Sequence, residues 1–126
     1  MTLKLGIIGI SEGNGHPYSW SAICNGYSQD HMNYCEFPSI PTYLNKQEWP
    51  SAKISGVEVS HIWTQDISKS NCISQASLIP NIVNDPLDMI NEIDGLLLAR
   101  DDAENHINLV RPFLEAGLPV YIDKPI

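Results

Sequence analysis

The chain has 126 residues, enough for one domain that buries roughly two-thirds of its unfolded surface. Hydrophobic residues make up 43% and charged residues 17%, ordinary values for a globular domain. The formal net charge of -8 excludes the basic field that nucleic acid or an anionic membrane surface needs. It leaves room for a local anion site, because backbone N–H groups can supply the positive potential.

No stretch approaches the ~18 apolar residues of a membrane span. The apolar run after Lys4 ends at Ile10 among glycines, which is not the pattern of a secretory leader. The cysteines, Cys24, Cys35 and Cys72, are odd in number and form no CxxC pair. They read as packed or surface thiols in a reducing cytoplasm, not as a zinc site or a disulfide framework.

Leu3 to Ile8 is a short apolar run bounded by glycine, the pattern of a buried strand. Pro17 suits the first turn of a helix, where its missing N–H costs nothing. Trp20, Ile23, Cys24 and Tyr27 then recur at helical spacing and predict the buried face, with the helix ending near Gly26 to Ser28. From about 29 to 56 the periodicity dissolves among Pro38, Pro41 and Pro50. The scattered Tyr34, Phe37, Tyr43 and Trp49 make this too aromatic for a solvated linker. An ordered insertion packed on the body is expected there, with a short helix near Tyr43 to Glu48.

Val57 to Trp63 returns to a β-branched strand. Ser68 to Ser77 reads as a helix with Cys72, Ile73 and Ala76 inward, and Asn81 to Val83 as a short strand. Asp85 caps a short helix from Pro86, with Met89 and Ile90 inward. Gly95 to Ala99 is a continuous apolar strand of the doubly buried kind. A helix follows from Asp101 or Asp102, with Ala103, His106, Val110, Phe113 and Leu114 near one face. Pro112 interrupts its hydrogen bonding and Gly117 ends it. Pro119 to Ile122 is the last strand. Strands alternating with helices predict an α/β fold: a doubly wound, Rossmann-like parallel sheet in three α/β/α layers, running no further than its fifth strand.

Ligands of such sheets sit at the carboxyl ends of the strands. After the first strand comes Gly9-Ile10-Ser11-Glu12-Gly13-Asn14-Gly15-His16. The strict GxGxxG spacing would put glycine at 9, 11 and 14, and only Gly9 complies. Ser11 is small enough for close backbone approach, and its hydroxyl could donate to phosphate. Gly13 and Gly15 relax the loop around Asn14, and the helix N-terminus adds free N–H groups. Glu12 opposes an anion if it turns toward it. By itself the loop reads as either a phosphate cradle or a plain glycine-rich turn, and it is not a P-loop. After the second strand, Thr64, Gln65 and Asp66 are the candidates for the adenosine ribose, with Asp66 equally able to cap a helix. After the fourth come Ala99 and Arg100, and after the fifth Asp123-Lys124-Pro125. His106 reads as a core histidine or as a residue of the site.

Residues 94–125, "DGLLLARDDAENHINLVRPFLEAGLPVYIDKP", resemble the end of the nucleotide-binding domain of the Gfo/Idh/MocA oxidoreductases. The resemblance rests on Asp94 before an apolar strand, His106 in the next helix, Ala116-Gly117, and Lys124-Pro125. Asp123 replaces the family's glutamate conservatively, and "KLGIIG" at the front extends the likeness. It implies NAD or NADP binding and redox chemistry on sugar-like alcohols. It implies that Lys124 is catalytic, that Gly9, Ser11, Gly13, Asn14 and Gly15 hold the pyrophosphate, and that Thr64 to Asp66 face the ribose. These enzymes carry a second, largely β domain after the Lys-Pro that closes the substrate site. Residues 1–126 therefore correspond to the nucleotide-binding half alone, expected to be inactive in isolation, with that further domain or another copy of the chain as its partner.

Two other readings compete. A receiver-like domain has similar length and a Lys-Pro after its fifth strand, but it needs an acidic pair at the end of the first strand to bind Mg²⁺. Gly9 to Glu12 does not provide one. A non-catalytic module that has lost cofactor binding would self-associate through its exposed last strand.

Overall fold

A computed structural model of the chain describes residues 2–125. Five strands form one parallel sheet: β1 (Leu3–Ile8), β2 (Val57–Trp63), β3 (Asn81–Ile82), β4 (Gly95–Leu98) and β5 (Val120–Ile122). Their order is β3-β2-β1-β4-β5. The chain steps outward from β1 through β2 to β3, then crosses back to β4 and steps the other way to β5. Right-handed crossovers in opposite directions place their helices on opposite faces. This is the strand order of dinucleotide-binding sheets, with its switch point between β1 and β4. A receiver-type sheet runs 2-1-3-4-5 instead, so that reading is excluded.

Five helices accompany the sheet: α1 (His16–Asn25), α2 (Gln29–Asn33), α3 (Ser39–Leu44), α4 (Ile67–Ser77) and α5 (Ala103–Glu115), with a 3-10 turn at Pro86–Met89. On one face, α1 and α4 cover Ile7, Val59 and Ile62 with Tyr18, Ala22, Ile73 and Ala76. On the other, α5 and the 3-10 turn cover Ile8, Leu96 and Leu98 with Met89, Val110 and Phe113. At about 25 cal/mol per Å² of apolar surface, these two layers supply most of the favourable free energy of folding. A register shift between Leu5 and Gly6 leaves Ser60 as an extra residue in β2. Beyond it Ile62 joins the α1 side, while Trp63 packs on the α5 side.

Several elements differ from the sequence reading. Residues 29–56 carry two short helices, α2 and α3, and the second lies earlier than the predicted 43–48. Met32 and Leu44 are fully buried and anchor the segment to the body. Ser28 caps α2, and Trp49 Nε1 donates to the Leu44 carbonyl at 2.9 Å.

The buried face of α1 is Tyr18, Ser21, Ala22 and Cys24, so Trp20 and Ile23 are only half-buried. Small Ser21 and Ala22 let the helix sit close to the sheet, and the polar Ser21 hid this face from a count of apolar residues. Cys72 is exposed on α4. Leu114 is 49% exposed, because the α5 stripe runs His106, Val110, Phe113 and Leu114 lies one position past it. No described helix is long and apolar enough to cross a membrane, and no described His, Cys, Asp and Glu cluster could hold a metal.

Candidate functional site at the carboxyl end of the sheet

The loop after β1 is set by two steric constraints. A Cβ on Gly9 would lie 2.6 Å from Pro17 Cγ, and one on Gly15 would lie 2.4 Å from Ile40 Cδ1. Gly9 therefore lets the loop close onto α1, and Gly15 lets the insertion close onto the loop. Gly13 differs from both: its φ is +76°, and nothing lies within 4 Å of the position a Cβ would take. It is the open, left-handed point of the loop.

Asn14 and Ser11 are both engaged inside the protein. Asn14 is buried, donates to Asp123 Oδ2 at 2.8 Å and accepts from the His16 N–H at 2.9 Å. Ser11 Oγ donates to Asp101 Oδ1 at 2.7 Å and accepts from the Asp101 N–H at 3.1 Å. What the loop leaves open is backbone. Among the described residues, the N–H groups of Ser11, Glu12 and Gly13 have no protein acceptor. These residues line a cleft of about 450 Å³ together with Ile10, Glu36, Phe37, Gln65, Asp66 and Lys69. Successive free N–H groups beside a helix N-terminus are a fitting donor set for a pyrophosphate.

Residues from the other strand ends brace this loop. Gln65 Oε1 accepts the Ile10 N–H at 2.9 Å, and Gln65 Nε2 donates to the Ile10 carbonyl at 2.5 Å. Arg100 Nη1 donates to Gln65 Oε1 at 3.0 Å. The rest of the guanidinium holds Asp102 through Nε at 2.9 Å and Nη2 at 2.6 Å. That fork, with Asn105 adding a third donor, keeps the Asp102 carboxyl well below the usual carboxylate range. A strut thus runs from the end of β2, across β1, to the end of β4. His106 Nε2 donates to the Arg100 carbonyl at 2.6 Å, so this buried histidine secures the strut from below. Its Nδ1 is buried without a partner among the described residues. Ala99, fully buried, continues the β4 ladder by donating its N–H to the Ile8 carbonyl at 2.8 Å.

Thr64 turns inward: its hydroxyl donates to the Asp66 carbonyl at 2.6 Å and lies 2.7 Å from Ser70 Oγ. Asp66 caps α4, accepting from Ser68 N–H at 2.9 Å and Ser68 Oγ at 2.6 Å. Those Ser68 bonds lower its pKa. Asp66 also borders the cleft, so capping does not remove it from the site. The insertion adds Glu36 and Phe37 to the wall, with Glu36 ion-paired to Lys69 of α4. The irregular 29–56 pattern gave no signal for these two. At the end of β5, Lys124 is exposed and its N–H donates to Asp123 Oδ1 at 3.0 Å.

No family model matches the sequence, and neither does any curated protein. Solved structures do match the fold. Scyllo-inositol dehydrogenase from Lactobacillus casei superposes with a TM-score of 0.61 at 16% identity, over 99% of this chain and 29% of that one. The same enzyme with bound NAD(H) and scyllo-inositol gives 0.61 and 16%, over 99% and 28%. Myo-inositol 2-dehydrogenase from Lactobacillus plantarum gives 0.61 and 18%, over 99% and 29%. The chain thus spans less than a third of the length of these neighbours. With the strand order, this establishes the architecture: the chain has a Rossmann-like fold that superposes on a part of these dehydrogenases.

Proposed function

We propose that the chain is the nicotinamide-dinucleotide-binding domain of an oxidoreductase acting on sugar-like alcohols. The observation that carries this is the run of unpartnered N–H groups at Ser11, Glu12 and Gly13, at the end of β1 beside the switch point. Bound dinucleotide supplies a hydride acceptor or donor. The chain's own residues bind and orient it. Ser11 to Gly13 hold the pyrophosphate through the backbone, Gly9 and Gly15 set the loop's close packing, and the Gln65–Arg100 strut keeps Ile10 in place. Asp66 faces the ribose, and Lys124 donates to a substrate oxygen.

The cleft favours NAD over NADP. Glu12, Glu36 and Asp66 line it against a single ammonium, Lys69, which Glu36 already pairs. A further dianionic phosphate on the ribose meets net negative charge there. The isolated chain binds cofactor without turning over substrate, because a second domain closes the site; that each structural neighbour is more than three times as long supports this. Titration calorimetry with NADH and NADPH tests the reading. Binding of NADH that is lost on Gly13→Val supports it, and no binding at millimolar cofactor overturns it.

One observation favours a second reading, self-association. Trp20, Ile23, Ile54, Leu97 and Tyr121 line an apolar groove beside β5, the edge strand, and Tyr121 is 63% exposed. Light scattering decides it: a concentration-dependent dimer abolished by Tyr121→Arg supports the interaction module, and a monomer at high concentration removes it.

A further inference from the structure

Two of the three cysteines meet at a small cavity that adjoins the β1-loop cleft and shares Glu36 with it. Cys35, half-buried, and Cys72, exposed, both line this cavity of about 220 Å³ between the insertion and α4. Contacts fasten the two segments together on either side of it. The Ser28 N–H donates to the Ala76 carbonyl at 2.9 Å, and Lys69 pairs with Glu36. Cys35 falls between Ser28 and Glu36, and Cys72 between Lys69 and Ala76, so both cysteines lie inside the fastened stretch. Tyr18 lies near both: burial pushes its phenol well above the usual range, and Glu36, Cys72 and Cys35 push it further. Cys24, buried on α1, does not line this cavity.

The two thiols differ in environment. Cys72 is open to an oxidant in solution. Burial pushes the Cys35 thiol up, and its S–H donates to the Phe37 carbonyl at 3.4 Å, a weak bond that is readily given up. An exposed thiol beside a second, sheltered thiol is the arrangement in which oxidation of the first is resolved by the second. In reducing compartments such bonds are transient and redox-sensing.

We propose that Cys35 and Cys72 form a reversible disulfide that locks the insertion to α4 when a hydroperoxide oxidises Cys72. The Cys72 thiolate attacks hydrogen peroxide: an S–O bond forms, the O–O bond breaks, and hydroxide leaves as water with the proton the thiol gave up. Cys72 is then a sulfenic acid. The Cys35 sulfur attacks the Cys72 sulfur: the S–S bond forms, the S–O bond breaks, and the sulfenic oxygen leaves as a second water with the Cys35 proton. Two thiols and one peroxide give one disulfide and two waters, so the sulfurs lose the two electrons that the peroxide gains. Glu36 and Phe37 follow Cys35 directly and line the β1-loop cleft, so the lock fixes one wall of that cleft. It also closes a long covalent loop, from 35 to 72, which stabilises the fold by restricting the unfolded chain.

The test uses the full chain and needs neither cofactor nor variant for its first reading. After brief treatment with stoichiometric hydrogen peroxide, free thiols should fall from three to one per chain with no covalent dimer on a non-reducing gel, and dithiothreitol should restore all three. Fragmentation mass spectrometry of the digest should show Cys35 joined to Cys72, with Cys24 alkylated only after unfolding. Three thiols left free, a bond through Cys24, or only dimers joined through Cys72 overturns the proposal. Cys72→Ser should spare Cys35 from peroxide, and Cys35→Ser should leave Cys72 as a sulfenic acid that dimedone traps; equal loss of Cys35 with and without Cys72 overturns the order of steps. Oxidation of the wild type should raise the urea midpoint and slow amide exchange at residues 35–37, both reversed by dithiothreitol. A lowered midpoint or unchanged exchange overturns the lock.

Discussion

Gly13 and Gly56 make a matched pair of sites that separates folding from binding. Both have left-handed backbone, with φ of +76° and +83°, and neither has an atom within 4 Å of a new Cβ. Alanine at either position therefore introduces no clash, and each carries the same backbone penalty of about 1–2 kcal/mol. Gly56 lies in the turn before β2, where its carbonyl accepts the Leu3 N–H at 2.9 Å, far along the chain from the cleft. Gly13 lies in the cleft itself and carries the last of the three successive unpartnered N–H groups. A methyl there stands in the volume where a phosphate oxygen approaches. Losing a single charge-assisted N–H bond at about 1.5–3 kcal/mol weakens binding at least about tenfold. Urea denaturation should thus show equal losses for Gly13→Ala and Gly56→Ala, while calorimetry shows weakened NADH binding for Gly13→Ala alone. An equal change in affinity for both, or none for Gly13→Ala, would refute the assignment of this loop.

Gln65→Ala should destabilise the fold by about 1–3 kcal/mol, since it strips the partner from the buried Ile10 N–H, and should weaken NADH binding by loosening the loop; both follow from one denaturation and one titration series. NADH should bind more tightly than NADPH, and Asp66→Asn with Glu36→Gln, which keeps the α4 cap while removing two charges, should narrow the gap; a wild-type preference for NADPH in competition fluorescence contradicts the charge argument. The depressed pKa of Asp102 has a defined pH signature. Its contribution to stability is present above the unfolded carboxyl value near 4 and is lost as pH falls toward the depressed folded value. The stability difference between wild type and Asp102→Asn should therefore shrink on acidification below about pH 4 in thermal melts; a difference that stays constant rules the Arg100 pairing out as its source.

The fold was legible because its central elements announce themselves locally. Leu3–Ile8 and Gly95–Leu98 are largely apolar runs of strand length, Val57–Trp63 is marked by its β-branched residues, and each sits centrally in the sheet. What failed was phase and partnership. The α1 face was misread because its closest contact with the sheet uses Ser21 and Ala22, residues without hydrophobic signal. In the site, the side chains of the candidates at the strand ends mostly bind one another. Ser11 meets Asp101, Asn14 meets Asp123, and Gln65 meets Ile10 and Arg100, across 35 to 109 residues of sequence. Such pairings have no local signature. The contact of His16 Nδ1 with Asp123 Oδ2 at 2.6 Å has no local signature either, since 107 residues separate the two.

The paired charges also bear on how so acidic a domain holds an anion. Arg100 is spent on Asp102 and Lys69 on Glu36, so the cleft at the β1 loop presents no unpaired cation among the described residues. In the proposed reading the attraction comes from N–H groups and the α1 N-terminus at contact distance, which salt screens little. The opposing field comes from a formal net charge of -8 spread over the surface, which salt screens well, with a Debye length of about 8 Å at physiological ionic strength. Raising the salt from about 0.01 M to about 0.15 M should therefore leave NADH affinity within about twofold or tighten it, with a faster association rate. A site built on free lysines or arginines behaves in the opposite way. A tenfold loss of affinity over that range in stopped-flow and equilibrium titrations would mean that side-chain cations, and not the backbone of Ser11 to Gly13, hold the pyrophosphate.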